Sequence, residues 1–157
     1  MTTTSDMQST RQSGIAGEEL LQLVSFKIGT EEFGVDILKV QEINRMLEVT
    51  SLPNAPDYVI GMINLRGKVI PVISLRQRFG MQSKEPDKNT RIIVMELGGK
   101  VFGFVVDAVS EVLRIPKRVT EPPPSIISGA RSAYITAVGR LEDRLLTLVD
   151  LEQLLLN

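Results

Sequence analysis

Val24, Phe26 and Ile28 alternate with Ser25 and Lys27, the period of two expected of a half-buried strand. The run closes at Gly29-Thr30, and Phe33, Val35 and Ile37 resume the alternation as a second strand. From Asp36 the spacing lengthens. Ile37, Val40 and Gln41 fit a helical repeat, so a short helical turn capped by Asp36 is predicted. Continued, that turn directs Val40 and Ile43 at the core and leaves Glu42 between them at the solvent edge. Residues 46–57, punctuated by Pro53 and Pro56, read as a connection. Residues 61–73 then carry the pattern of a β-hairpin, two Ile- and Val-rich arms around a polar corner at Arg66-Gly67. Asn64 and Arg66 share one face of it, Ile63 and Leu65 the other. Pro71 has no N–H for a sheet ladder, which predicts an edge or a local bulge there.

The second half repeats this grammar. A helical turn is predicted at residues 75–79, followed by a polar boundary at 81–89. Residues 91–97 and 100–106 form a hairpin across Gly98-Gly99, a two-residue loop suited to a primed turn. A helical turn at 107–110, a strand at 111–115 and a loop from Pro122 to about residue 131 come next. A last hairpin turns at Glu142-Asp143, and Leu151, Leu154 and Leu155 mark a short terminal helix. The predicted class is all-β with short helices.

Superposing the halves exposes a weak internal repeat. Residues 23–46 fall without gaps on residues 92–115, an offset of 69, with identities at Gly29/Gly98, Phe33/Phe102, Gly34/Gly103, Val40/Val109, Glu42/Glu111 and Arg45/Arg114. Residues 65–75 fall on 141–151 at an offset of 76. Chance similarity between strand-rich segments is the competing explanation. If the repeat is a duplication, each half is a sheet unit of about five short strands, and closure into small barrels removes their edges. The expected layout is a tail at residues 1–19 and one two-lobed domain at 20–157. Its lobes are about 20–80 and 90–157, with exchange of strands between them left open.

Composition narrows the function. A chain of 157 residues buries enough surface to fold without staples. It has no Cys and no His, which removes thiol catalysis, thiolate zinc sites, the commonest general base and any histidine phosphoacceptor. The absence of Cys also fits a reducing compartment. Lys plus Arg number 18 against 19 Asp plus Glu, and aromatics are scarce. A nucleic-acid-binding barrel, the alternative from another class, lacks the basic stacking surface it needs. No nucleophile elbow, phosphate loop or metal-binding pattern occurs. Asp36, Asp107 and Asp150 sit at strand ends, where helix capping is the ordinary role. No cofactor or metal is expected, and the chain reads as a binding module rather than an enzyme.

Two features mark where a partner would bind. Val40, Glu42 and Ile43 form an apolar stripe interrupted by a carboxylate, although Val40 and Ile43 serve equally as core. Arg66 offers the opposite charge if the stripe packs over the hairpin, although an arginine at a hairpin tip is ordinarily just solvated. A Glu42–Arg66 pair adds little stability when exposed, yet orients both groups. Gly61 and Gly67 are the candidate turn-supporting residues.

These residues resemble a known family. Phe33-Gly34-Val35-Asp36-Ile37-Leu38-Lys39-Val40-Gln41-Glu42-Ile43 is similar to the first signature of the CheW family of chemotaxis coupling proteins. Gly61-Met62-Ile63-Asn64-Leu65-Arg66-Gly67-Lys68-Val69-Ile70-Pro71-Val72 resembles the second, and Gly103-Phe104-Val105-Val106-Asp107-Ala108-Val109 the third. Leu146-Thr147-Leu148-Val149-Asp150-Leu151 resembles the closing strand and turn, so the likeness spans residues 20–156 in order. The resemblance implies two small five-stranded SH3-like β-barrels on a shared core and a non-enzymatic adaptor. Such an adaptor links chemoreceptor cytoplasmic helical hairpins to the histidine kinase CheA. It implies a receptor helix in the groove between the barrels, with Val40, Glu42, Asn64 and Arg66 on the receptor side. It implies that the kinase docks through a regulatory domain resembling this chain, so that the two alternate in rings, at residues this reading does not identify. It further implies a cytoplasmic monomer recruited to membrane receptor arrays, with no direct membrane insertion and no nucleic-acid partner. The chain ends at Asn157, so its terminal helix is shorter than the family's.

Overall fold

The computed structural model describes residues 19–124 and 133–156. Among them eleven strands follow in order. They are β1 (Leu20–Ile28), β2 (Glu31–Asp36), β3 (Val40–Arg45), β4 (Val59–Leu65), β5 (Lys68–Ser74) and β6 (Arg91–Leu97). The rest are β7 (Lys100–Val106), β8 (Ala108–Pro116), β9 (Thr120–Glu121), β10 (Ile135–Arg140) and β11 (Leu145–Val149). Helices α1 (Leu75–Arg78) and α2 (Leu151–Leu156) follow β5 and β11, and the Ser74 hydroxyl caps α1 by accepting from Gln77 N at 3.3 Å.

The strands form two sheets, β9-β10-β11-β2-β1-β8 and β3-β6-β7-β5-β4. Each sheet therefore draws on both halves of the chain. Applying the offsets of 69 and 76 converts the second order into β8-β1-β2-β11-β10, which is the first sheet read backwards without β9. The parallel pairs agree in register as well, Leu148 opposite Gly34 and Val72 opposite Gly103. Both antiparallel ladders to the bulged strands skip one residue at equivalent points, Gln41 in β3 and Ser110 in β8. Even the two-residue β9 has a counterpart, the single bridge Thr50–Met62 against β4. This is the two-barrel, SH3-like architecture, with one five-stranded sheet and one extended by β9.

Three apolar clusters follow from this arrangement. Ile63, Ile70, Val72, Ile92 and Val94 fill the second barrel; Leu23, Ile115, Leu146 and Leu148 fill the first. Between them lies the shared core, where Phe26, Phe33 and Val35 of one sheet meet Ile73, Ile93, Met95 and Phe104 of the other. A run of ring contacts crosses it, Phe26–Phe33 at 5.6 Å, Phe33–Phe79 at 5.1 Å and Phe79–Tyr134 at 5.2 Å.

Several local expectations are corrected. Asp36 does cap a turn, accepting from Leu38 N at 2.9 Å, but that turn is a single 3-10 turn (Ile37–Lys39), and Val40 opens a strand rather than continuing a helix. Likewise residues 108–110 belong to β8, not to a helical turn. Pro71 lies in an interior strand. With Leu65 opposite Lys68 across a two-residue loop, alternate pairs exchange hydrogen bonds, so the nitrogen of Pro71 points away from β4. It faces β7 one residue before that ladder begins at Val72, where a missing donor is tolerated. The proposed tail up to residue 18, and residues 125–131 of the proposed loop, lie outside the described residues.

Candidate functional site

The hairpin corner forms as the turn chemistry requires. Arg66 and Gly67 have φ of 52° and 85°, the positive pair of a type I′ loop, and the Asn64 carboxamide oxygen accepts from Gly67 N at 2.9 Å. A non-glycine residue is held in the left-handed region here, and its guanidinium has a specific target. Arg66 Nη1 donates to Glu42 Oε1 at 3.2 Å and Nη2 donates to Oε2, a two-pronged pair joining β3 to the β4–β5 tip. The Arg66 side chain is 69% exposed and that of Glu42 25%. The guanidinium holds the Glu42 carboxyl below its ordinary range, and Glu42 in turn raises Arg66. Gly61 sits where a Cβ would lie 2.1 Å from the Thr50 carbonyl oxygen, so only glycine admits the connection that bridges onto β4.

Of the candidate residues, Glu42, Asn64 and Arg66 thus converge with Gly67, whereas Val40 packs on the shared core. The stripe meets the core only in part: Val40 packs on it, whereas Ile43 is 38% exposed and belongs to none of the apolar clusters described. Val40 lies opposite Met95 and Ile43 opposite Ile93, both core residues, because the extra residue at Gln41 returns Ile43 to the same face. Glu42, opposite Val94, points to the other face.

The resemblance implied a groove between the barrels but named none of the apolar residues that line the one in the structure. An apolar groove of about 480 Å³ opens between the first sheet and β6, lined by Leu21, Leu23, Leu38, Met95, Leu97 and Leu148 among others. Leu38, on the 3-10 turn, is 86% exposed, the most exposed of the large apolar side chains described. Its signal was the apolar residue inside a turn between two strands, where neither periodicity assigns it a buried partner.

Among the described residues, every resolved pKa displacement favours the charged form: Glu42 and Asp87 are lowered, Arg66 and Arg144 raised. No group of three or more acidic residues among them is placed to hold a metal ion. The geometry is that of a protein-binding module, two barrels with an apolar groove and a charged corner. Residues 22–157 match the CheW-like domain, and the chain belongs to that family. It is 44% identical over 144 residues to the chemotaxis protein CheW of Klebsiella aerogenes, covering 91% of this chain and 87% of that protein. For the chemotaxis protein CheW of Helicobacter pylori the identity is 37% over 138 residues, covering 88% and 83%. The crystal structure of scaffolding protein TtCheW from Thermoanaerobacter tengcongensis aligns with a TM-score of 0.79 at 36% identity, over 85% of this chain and 91% of that one.

Proposed function

We propose that the chain is a non-enzymatic chemotaxis adaptor that couples chemoreceptor cytoplasmic tips to the histidine kinase CheA. A receptor helical hairpin lays an apolar face in the inter-barrel groove, and the Glu42–Arg66 corner supplies the polar contacts that fix register. The kinase docks through its own CheW-like regulatory domain, so that monomers join kinase-containing rings at receptor arrays on the cytoplasmic side of the membrane. No helix among the described residues is long and apolar enough to cross a membrane, so attachment comes through the receptor. The observation that carries this reading is the largely exposed guanidinium paired to Glu42, in a chain of this family that also presents an open apolar groove. Arg66→Glu should cut binding to a soluble receptor-tip fragment by at least tenfold while the unfolding midpoint holds, because exposed substitutions cost about 0.5 kcal/mol or less. Unchanged binding in a titration would remove Arg66 from the interface.

A further inference from the structure

The internal repeat offers two versions of the groove, a large open one and a smaller one. Position 38 corresponds to 107, and positions 150 to 152 correspond to 74 to 76. Around the second set lies a smaller cavity of about 200 Å³, lined by Ser74, Arg76 and Asp107 and walled by Ser83, Lys84, Glu85 and Pro86. There Asp107 stands where Leu38 stands in the open groove, and it accepts from Arg76 Nη1 at 2.5 Å and from Gly29 N at 2.7 Å. Arg76 is the second residue of α1. In the open groove the second residue of α2, Glu152, makes a similar reach one position further along, to Lys39 Nζ at 3.5 Å, with both side chains about two-fifths exposed. The same device recurs with its charges reversed: the helix after the parallel strand ties down the turn after that strand's partner.

From this recurrence we infer that Glu152 and Asp36 are positioning residues for the groove, holding the Ile37–Lys39 turn so that Leu38 stands out as a preset apolar anchor. The turn is fixed from four directions. The Asp36 carboxylate takes the Leu38 N–H, Val40 N donates to the Ile37 carbonyl, Ile37 and Val40 pack on the shared core, and Lys39 is drawn to α2. An exposed leucine on such a turn loses little freedom when a partner covers it, and that is what makes it an anchor rather than a loose surface residue. The inference rests on the adaptor reading and deepens it by naming what sets the groove's lip.

The test uses the full chain and a soluble fragment of a chemoreceptor cytoplasmic helical hairpin. Leu38→Ala should weaken binding about tenfold and Glu152→Gln about threefold, and the double variant should bind no worse than Leu38→Ala alone. Reversing the pair with Lys39→Glu and Glu152→Lys together should restore affinity to within about twofold. Losses that multiply, or a reversed pair no better than Glu152→Gln, would overturn the assignment. Amide exchange in the free protein supplies an independent arm. Asp36→Ala and Glu152→Gln should speed exchange at Leu38 and Val40 about tenfold against unchanged core amides, and equal rates would overturn the positioning role by themselves. If the wild-type chain ignores the fragment while those rates still rise, it is the adaptor reading that fails.

Discussion

The two barrels place an arginine against the same glutamate position and use it for different ends. In the second barrel Arg66, at the hairpin tip, grips Glu42 alone and stays largely in water. In the first barrel the equivalent glutamate is Glu111, and the cation comes from two residues further along the hairpin, where Arg144 corresponds to Lys68. Arg144 also bonds Glu32 at 2.6 Å and Asp143 at 3.0 Å, so its side chain is only 34% exposed and its donors are largely spent within the molecule. Contact with Glu32, whose side chain is 8% exposed, dominates the rise in its pKa. The matching topology thus gives each barrel a glutamate at the same position. In the first barrel the arginine is an internal clamp; in the second its guanidinium stays largely in water.

The sharpest way to break the comparison lies in the backbone. Gly61 corresponds to Ala137, and both sit at register shifts in their hairpins. A Cβ at Gly61 would strike the Thr50 carbonyl oxygen at a φ of 148°, whereas its counterpart already carries a methyl group. Gly61→Ala should therefore cost about 3 kcal/mol in urea unfolding, and Ala137→Gly only about 0.5–1 kcal/mol. Equal costs would mean that the bridge onto β4 is dispensable.

Removing each arginine separates clamp from contact. Arg144→Met strands the nearly buried Glu32 carboxylate and should lower Tm by about 5 °C in calorimetry. Arg66→Met leaves Glu42 open to water, so Tm should move by about 1 °C or less while affinity for the receptor fragment falls. A thermal loss at Arg66 as large as at Arg144 would make both corners structural.

The parts that could be read from sequence were those decided by neighbours in the chain. Arg66-Gly67 and Gly98-Gly99 each carry their turn chemistry in two residues, and the Glu42–Arg66 pair followed once the stripe was set beside the corner. Residues 37–43 misled because a bulge and a helix both return the third following residue to the same face; Gln41 produced in a strand the spacing read as helical. Pro71 misled because its tolerance depends on which neighbour its nitrogen faces, and the parallel partner β7 lies some thirty positions downstream. The lining of the groove could not be read for the same reason on a larger scale. Leu21, Leu38, Leu97 and Leu148 meet only because β11 returns to lie parallel to β2, and no periodicity announces such a meeting.

The finest distinction between the corners is electrostatic. Because Arg66 holds Glu42 below the ordinary glutamate value of 4.5, the folded state favours the carboxylate. The stabilisation from that shift is complete above the unfolded chain's pKa and is lost as pH falls through the lower folded value. In a carbon-detected NMR titration Glu42 should thus have its midpoint below 4.5, and Arg66→Met should move that midpoint upward. Added salt should move it the same way, since an exposed pair is screened within roughly 10 Å at 0.1 M. A midpoint indifferent to Arg66 would mean that the two-pronged contact does not persist in solution, and the corner would then present a free arginine rather than an aimed one.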